Sequence, residues 1–148
     1  MTVEDIPELD RFTHAEAWTL GSRLARRCQA ASLPVTISIV IGEQQVFHAA
    51  LHGTSADNDA WASRKIGTVR HFDLSSAAVH ERYAQPDTDF HRVFGLPESR
   101  YAAAGGAVPI RVRGTLVGVL AVSGLASAED HQLAVDALAE LRADGAGA

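Results

Sequence analysis

Two pairs of β-rich segments, each interrupted by a glycine-containing turn, constrain the fold of this chain most. The four segments are residues 35–41, 45–51, 107–112 and 115–122. Within the first of them a large apolar residue occupies every second position, which is the period of a β-strand. Gly42 and Glu43 separate the first pair, and Arg113 and Gly114 separate the second. The sequence therefore predicts two β-hairpins.

Helical patterns precede, separate and follow these hairpins. The predicted helices run from Thr13 to Leu33-Pro34, from Asp57 or Asp59 to about Arg70, from Ser75 to Ala84, and from a cap at Ser127 to the tail that begins at Asp144. The spacing of Thr13 and Glu16 is that of a capping box, which marks the first helix start. Residues 85–99 contain two prolines and are expected to be mostly irregular.

The predicted order is α-β-β-α-α-β-β-α, which indicates an α+β protein. Two hairpins can join into one antiparallel sheet, and helices then flank that sheet. Because strands and helices do not alternate as βαβ units, a Rossmann fold is not expected. Pro109 lacks a backbone N–H, so we expect either that its strand lies at an edge or that its N–H side is unpaired. A chain of 148 residues fits a single domain spanning residues 1–148.

Charge and composition narrow the range of partners. The formal net charge of −5 argues against nucleic acid and anionic membranes, since both attract basic surfaces. No apolar stretch is long enough for membrane insertion, and residues 1–10 lack the basic and apolar regions of a secretory signal. We therefore expect a cytoplasmic protein. Cys28 is the single cysteine, so no intramolecular disulfide forms, and burial on a helix face is expected for it.

The densest polar stretch is residues 51–65, which contains Asn58, Trp61, Arg64 and Lys65. Trp61 offers a flat apolar face and an indole donor, and Arg64 offers a fork for a carboxylate or phosphate. One interpretation is that Arg64 and Lys65 together form an anion-accepting site. The other is a capped amphipathic helix with Trp61 in the core and both bases solvated.

Histidine is the most versatile chemical group in this sequence, with seven copies and no H-E-x-x-H pair of the zinc-enzyme type. His131 is the strongest candidate because it follows Asp130 in the first turn of the last predicted helix. Nearby helix amides suit an anionic ligand there and disfavour the imidazolium form. His48 and His52 straddle a strand end and give a weaker indication of a metal.

Gly105 and Gly106 form a second candidate feature. No Lys-Ser or Lys-Thr follows them, so they do not form a phosphate-binding P-loop. They provide either a close approach of two backbones or a ligand contact. In either case we expect at least one of them to have a positive φ or no room for a Cβ.

Three ordered segments resemble the GlcG/HbpS-type haem-degrading domain family. They are residues 51–65 (LHGTSADNDAWASRK), 101–112 (YAAAGGAVPIRV) and 118–131 (GVLAVSGLASAEDH). The patterns D-N-x-x-W-x-x-R-K, Y-A-x-x-G-G-x-x-P-I and V-S-G-L-x-x-x-x-D-H recur in this order in the short, uncharacterised UPF-type branch, which the chain resembles most. The resemblance spans about residues 12–142.

The resemblance implies a profilin-like α+β fold, a homo-oligomer, and haem, another tetrapyrrole or a different small acidic molecule as ligand. It implies a ligand site formed by Asn58, Trp61, Arg64, Lys65, Tyr101, Gly105, Gly106 and His131. In that site Trp61 and Tyr101 would supply flat contacts, and His131 or His52 would reach the iron. The alternative is a non-enzymatic homo-oligomeric scaffold or adaptor in which the same motifs are structural. The sequence leaves open whether the protein is an enzyme.

Overall fold

The computed structural model describes residues 5–145. Its elements are α1 (His14–Ala30), β1 (Thr36–Ile41), β2 (Gln44–Ala50), α2 (Ala56–Phe72), α3 (Ser76–Tyr83), α4 (Phe90–Phe94), β3 (Ala107–Val112), β4 (Thr115–Ser123) and α5 (Ser127–Ala143). The predicted α+β order is confirmed. One short helix, α4, lies in the stretch that was expected to be irregular.

The two hairpins form one antiparallel sheet with the strand order β2-β1-β4-β3. They meet where β1 pairs with β4, for example at Ile37 opposite Val122. Pro109 therefore lies on an edge strand, as expected. The outer edge of β3 is met by Leu9, whose N–H donates to the carbonyl of Arg111 at 2.9 Å.

Helices cover both faces of the sheet, because successive side chains of a strand point to opposite faces. On one face α1 and α5 bury the larger core, which includes Leu24, Ile37, Leu120 and Leu138. Cys28 is buried in this core, as expected. On the other face α2 packs against the sheet through Ile66 and Val69. An aromatic cluster of Phe72, Tyr83, Phe90 and Phe94 joins α2 to α3 and α4.

Helix starts follow the sequence at α1 and at α3, whose cap is Ser75, and depart from it at α2 and α5. The capping box of Thr13 and Glu16 is present at α1. The cap of α2 is Ser55 rather than Asp57 or Asp59, and the Asn58 side chain accepts from the Ser55 N–H at 2.9 Å. This reciprocal pair satisfies two backbone donors, which a single aspartate cap does not do.

The start of α5 also differs from the prediction. Ser127 is the first helical residue, and its predecessor Ala126 occupies the cap position without a side-chain hydrogen bond. The carboxylate of Asp130 instead accepts from the backbone N–H groups of Gly124 and Leu125 at 3.3 and 3.0 Å. None of the helices within residues 5–145 has the length and apolarity needed to cross a membrane.

Candidate functional site

A cavity of about 980 Å³ opens between α3, the loop before β3 and the beginning of α5. Seven of its thirteen lining residues are small, namely Ala77, Ala84, Ala103, Ala104, Gly105, Ser127 and Ala128. Its polar lining includes His80, Glu81 and His131. The volume lies at the upper end of the range for pockets that hold drug-sized ligands, and such pockets combine mainly apolar walls with a few polar groups.

His131 lies at this cavity but is itself buried, with 8% of its surface exposed. Within residues 5–145 its Nδ1 atom has no hydrogen-bond partner. Burial lowers the pKa of His131 below its ordinary value of 6.5. The imidazole is therefore neutral at physiological pH, as the sequence indicated, although the cause is burial rather than the helix amides.

His80 has the geometry of a metal-binding histidine more clearly than His131 does. It lies in the last turn of α3, and its Nδ1 atom is 2.9 Å from the carbonyl oxygen of Ala103. A carbonyl only accepts, so Nδ1 must carry the proton and the lone pair remains on Nε2. Metal-binding histidines are usually oriented by this kind of second hydrogen bond. The sequence does not single out His80, because its partner is 23 residues away and no local motif links them.

Lys65 is inside the protein, where it pairs with Asp130. Its Nζ atom is 3.3 Å from Oδ2 of Asp130 and 3.2 Å from the carbonyl oxygen of Val122. The two side chains lie between α2 and the first turns of α5. Burial lowers the pKa of Lys65 and raises the pKa of Asp130, and the charge of each partner partly offsets this effect.

The interpretation that Arg64 and Lys65 together accept one anion is therefore wrong in its geometry. Adjacent residues of an α-helix point about 100° apart, so one of the pair faces the sheet and the other does not. Arg64 lies over the Trp61 ring at 4.4 Å and donates through Nε to the carbonyl of Glu98 at 2.6 Å. The alternative interpretation also fails in part, because Trp61 is 36% exposed rather than in the core.

The two glycines before β3 connect the cavity with the buried ion pair. Gly106 has a φ of +139°, and a Cβ there would lie 2.4 Å from the Val122 oxygen and 2.6 Å from Lys65 Nζ. A Cβ on Gly105, which lines the cavity, would lie 2.7 Å from the Ser127 oxygen. The prediction of a restricted glycine position is confirmed at both residues.

The other predicted site residues lie away from this cavity. Asn58 is the third helical residue of α2 and completes its capping box with Ser55, and Tyr101 contacts His71 edge-on with 5.9 Å between ring centroids. His52 is exposed in the turn after β2 and does not line the cavity. His48 pairs with Asp59 at 2.5 Å. In the described part of the chain, no group of three or more His, Cys, Asp and Glu residues is arranged to hold a metal ion.

The chain belongs to the HbpS-like haem-degrading family. The family model described as "Haem degrading protein HbpS-like" matches residues 12–139. A UPF0303 protein of Streptomyces coelicolor is 43% identical over 129 residues, which cover 86% of this chain and 82% of that protein. A UPF0303 protein of Rhizobium meliloti is 42% identical over 135 residues, or 90% of this chain and 82% of that one.

Solved structures share the fold. The crystal structure of the Ybr137w protein aligns with a TM-score of 0.85 at 29% identity, covering 93% of this chain and 82% of that chain. The PduOC:heme complex aligns with a TM-score of 0.75 at 19% identity, covering 86% of this chain and 93% of that chain. HbpS aligns with a TM-score of 0.71 at 17% identity, covering 93% and 94%. At these identities, the last two establish similarity of fold alone.

Proposed function

We propose that this protein binds haem or another flat tetrapyrrole in the cavity lined by His80 and His131. The observation that carries the proposal is the carbonyl-anchored imidazole of His80 at an alanine-lined cavity of about 980 Å³. Membership of a family described as haem-degrading supports the choice of ligand, as does the haem bound to the PduOC neighbour. In this proposal His80 replaces His131 and His52 as the candidate iron ligand.

The residues that line the cavity suit the apolar ring and the iron of a haem but not its propionates. The alanines of α3 and of the loop before β3 suit the apolar ring faces. His80 offers Nε2 to the iron, whereas the Nδ1 atom of His131 has no acceptor within residues 5–145 to orient it. The cavity lining includes Glu81 but neither Arg nor Lys. The propionates would therefore lie at the open mouth of the cavity, in water.

Each side chain then has a defined part in the proposed site. When bound, haem iron would supply redox and ligand-exchange chemistry, with its potential tuned by the axial ligand and the polarity of the pocket. His80 would hold the iron, and Ala103 would fix the tautomer and orientation of His80. His131 would contribute a neutral, buried wall, since its pKa is lowered by burial. The small side chains would exclude water from the ring faces.

The test is an absorbance titration of the full chain with haemin. We expect saturation at about one haemin per chain, and His80→Ala should weaken affinity about tenfold or more, since each decade corresponds to about 1.4 kcal/mol. His91→Ala is a matched control, because the Nδ1 atom of His91 is also 2.9 Å from a backbone carbonyl, that of Leu96, but His91 does not line the cavity.

Two results would contradict the proposal. One is equal affinity and an unchanged haem spectrum in wild type and His80→Ala, which would remove His80 from the iron. The other is the absence of saturation in the wild type at low micromolar haemin, which would remove haem as the ligand. Urea unfolding of each variant checks that a loss of binding is not a loss of folding.

A second candidate function is a homo-oligomeric scaffold or adaptor, and a different surface favours it. Trp18 on α1 is 64% exposed, and its ring packs edge-on against Phe47 of β2 with centroids 5.8 Å apart. Exposed aromatic residues are enriched at protein interfaces. The strand that carries Phe47, Gln44–Ala50, is a sheet edge without an Asp, Glu, Lys or Arg. Assembly through this edge is compatible with ligand binding in the cavity.

A further inference from the structure

A second, smaller cavity of about 420 Å³ lies between α2, the β1–β2 turn and residues 97–101. It shares no lining residue with the cavity that contains His80. Its wall is polar and includes Glu43, Ser63, Arg70, His71, Arg100 and Tyr101. We propose that this cavity binds the oxyanion group of a small metabolite, a phosphate or a carboxylate, between the guanidinium groups of Arg70 and Arg100.

The helical side of the cavity follows from the repeat of α2. Ser63, Gly67 and Arg70 are four and three residues apart, so they lie on one face of the helix. Gly67 has no side chain, and a Cβ there would lie only 2.7 Å from the carbonyl oxygen of Arg100. Residues 97–101 can therefore lie directly against α2, which closes one end of the cavity.

Backbone hydrogen bonds hold the opposite wall in place. The N–H of Arg100 donates to the carbonyl of Pro97 at 3.1 Å. The N–H of Ala102 donates to the carbonyl of Arg64 at 3.2 Å and to the hydroxyl of Thr68 at 3.1 Å. The backbone that carries Arg100 is thus fixed to the helix that carries Arg70. Because both backbones are already fixed, binding an anion would have to order only the side chains.

The charges at the cavity favour an anion. Arg70 donates one Nη2 bond to the carbonyl of Gly42, which anchors the side chain and leaves further N–H donors. Within residues 5–145 the Arg100 guanidinium has no hydrogen bond or ion pair. Glu43 is the single carboxylate in the lining, so the guanidinium groups outnumber it. This local excess of positive charge lies on a chain with a formal net charge of −5.

The geometry also limits the kind of anion. Arginine presents a planar fork that matches carboxylate and phosphate oxygens, and such charge-assisted bonds are about twice as strong as neutral ones. The hydroxyl groups of Ser63 and Tyr101 add donors and acceptors for the polar body of a ligand. A cavity of about 420 Å³ suits a small metabolite rather than a tetrapyrrole. The two cavities thus select different ligands.

Inorganic phosphate and acetate are the probes, titrated separately into the ¹⁵N-labelled full chain at low ionic strength. We expect saturable amide shifts at Gly67, Arg100 and Ala102. Arg100→Gln should weaken the apparent affinity about tenfold or more. Arg26→Gln is the control, because Arg26 is exposed on α1, lies outside the cavity and loses the same charge. Tighter binding of phosphate than acetate would indicate a phosphorylated ligand, and the reverse order would indicate a carboxylate.

Shifts that never saturate with either anion, or equal affinities in Arg100→Gln and Arg26→Gln, would overturn the proposal. The second result would mean that the anion responds only to net charge. The haemin titration separates this site from the proposed tetrapyrrole site. Arg100→Gln should leave haemin affinity unchanged, and His80→Ala should leave phosphate affinity unchanged, so either site can fail alone.

Discussion

The Nζ atom of Lys65 lies 3.3 Å from Oδ2 of Asp130 in the interior, and this contact joins α2 to the beginning of α5. The two residues are 3% and 1% exposed. The same carboxylate accepts from the backbone N–H groups of Gly124 and Leu125. One buried aspartate therefore fixes the turn after β4, the start of α5 and the charged end of Lys65. The contact brings together the ends of two sequence motifs, Asp130-His131 in one and Arg64-Lys65 in the other.

Removing one member of this pair should destabilise the protein more than removing the charge of both. Lys65→Met leaves a buried carboxylate without its counter-charge, and such single removals cost about 3–5 kcal/mol. Adding Asp130→Asn to Lys65→Met removes the remaining charge but keeps an oxygen for only one of the two backbone amides, because Gly124 and Leu125 donate to different oxygens of Asp130. We therefore expect the double variant to recover part of the loss. Free energies of unfolding in urea for wild type, both single variants and the double variant give the coupling. Strictly additive losses would show that the two charges act independently.

Gly106 should be less tolerant of alanine than Gly114. Both have a positive φ, at +139° and +81°, but nothing lies within 4 Å of a Cβ on Gly114, whereas Val122 oxygen would be 2.4 Å from one on Gly106. Gly114→Ala therefore measures the backbone strain alone, about 1–2 kcal/mol. Gly106→Ala should lower the free energy of unfolding by that amount and by the further energy needed to displace a neighbour. Gly106→Val should lower it still more. Equal urea midpoints for the two alanine variants would show that the clash is relieved at no cost.

Local patterns allowed much of the fold to be predicted, because the features concerned depend on near neighbours. The alternation in residues 35–41 and the Thr13–Glu16 spacing are examples, and both are present as predicted. The cap of α2 was misassigned because Ser55, Asp57 and Asp59 are all capable caps. The structure selects Ser55, whose reciprocal bond with Asn58 is possible at that spacing alone.

The site was harder to predict, because it depends on contacts between distant parts of the chain. Arg64 and Lys65 are both polar, so the sequence does not indicate which of them faces the sheet. That choice is made by Asp130, which is 65 residues away. The role of His80 likewise depends on the Ala103 carbonyl. Gly105 and His131 were found because restricted glycines and helix starts leave a local signal.

Burial of His131 should make stability depend on pH. Its folded-state pKa is lowered by burial, so the unfolded chain binds the proton more readily. The stabilising contribution is therefore present above the unfolded value of 6.5 and is lost as the pH falls through the folded value. His131→Leu should flatten the fall in unfolding free energy between about pH 7.5 and about pH 5. His52→Leu, at an exposed histidine, is the control. Parallel pH profiles for wild type and His131→Leu would contradict this linkage.

The β2 edge should form a contact between copies of the chain. Edge strands present unpaired backbone groups, and proteins usually protect them with charged residues, proline or a covering segment. β3 has such protection through Pro109 and through Leu9, which bridges to Val112. β2 contains no proline or Asp, Glu, Lys or Arg, and within residues 5–145 no strand pairs with its outer edge. A neutral strand can pair with itself about a two-fold axis without opposing like charges.

Assembly through this edge predicts a specific effect of adding charge. The N–H of Leu51 donates to the carbonyl of Val35, the residue before β1, so by alternation the backbone groups of Ala50 point away from β1. Ala50→Lys would add a charge to each of the two edge strands that meet at the contact and should lower the assembled mass. Thr115→Lys adds the same charge at the exposed start of β4 and should leave the mass unchanged. Light scattering of the wild type at about ten micromolar should give a molecular mass that is at least twice the chain mass of 15.7 kDa. A wild-type mass equal to one chain would exclude the homo-oligomer, and an unchanged mass for Ala50→Lys would exclude this edge as its interface.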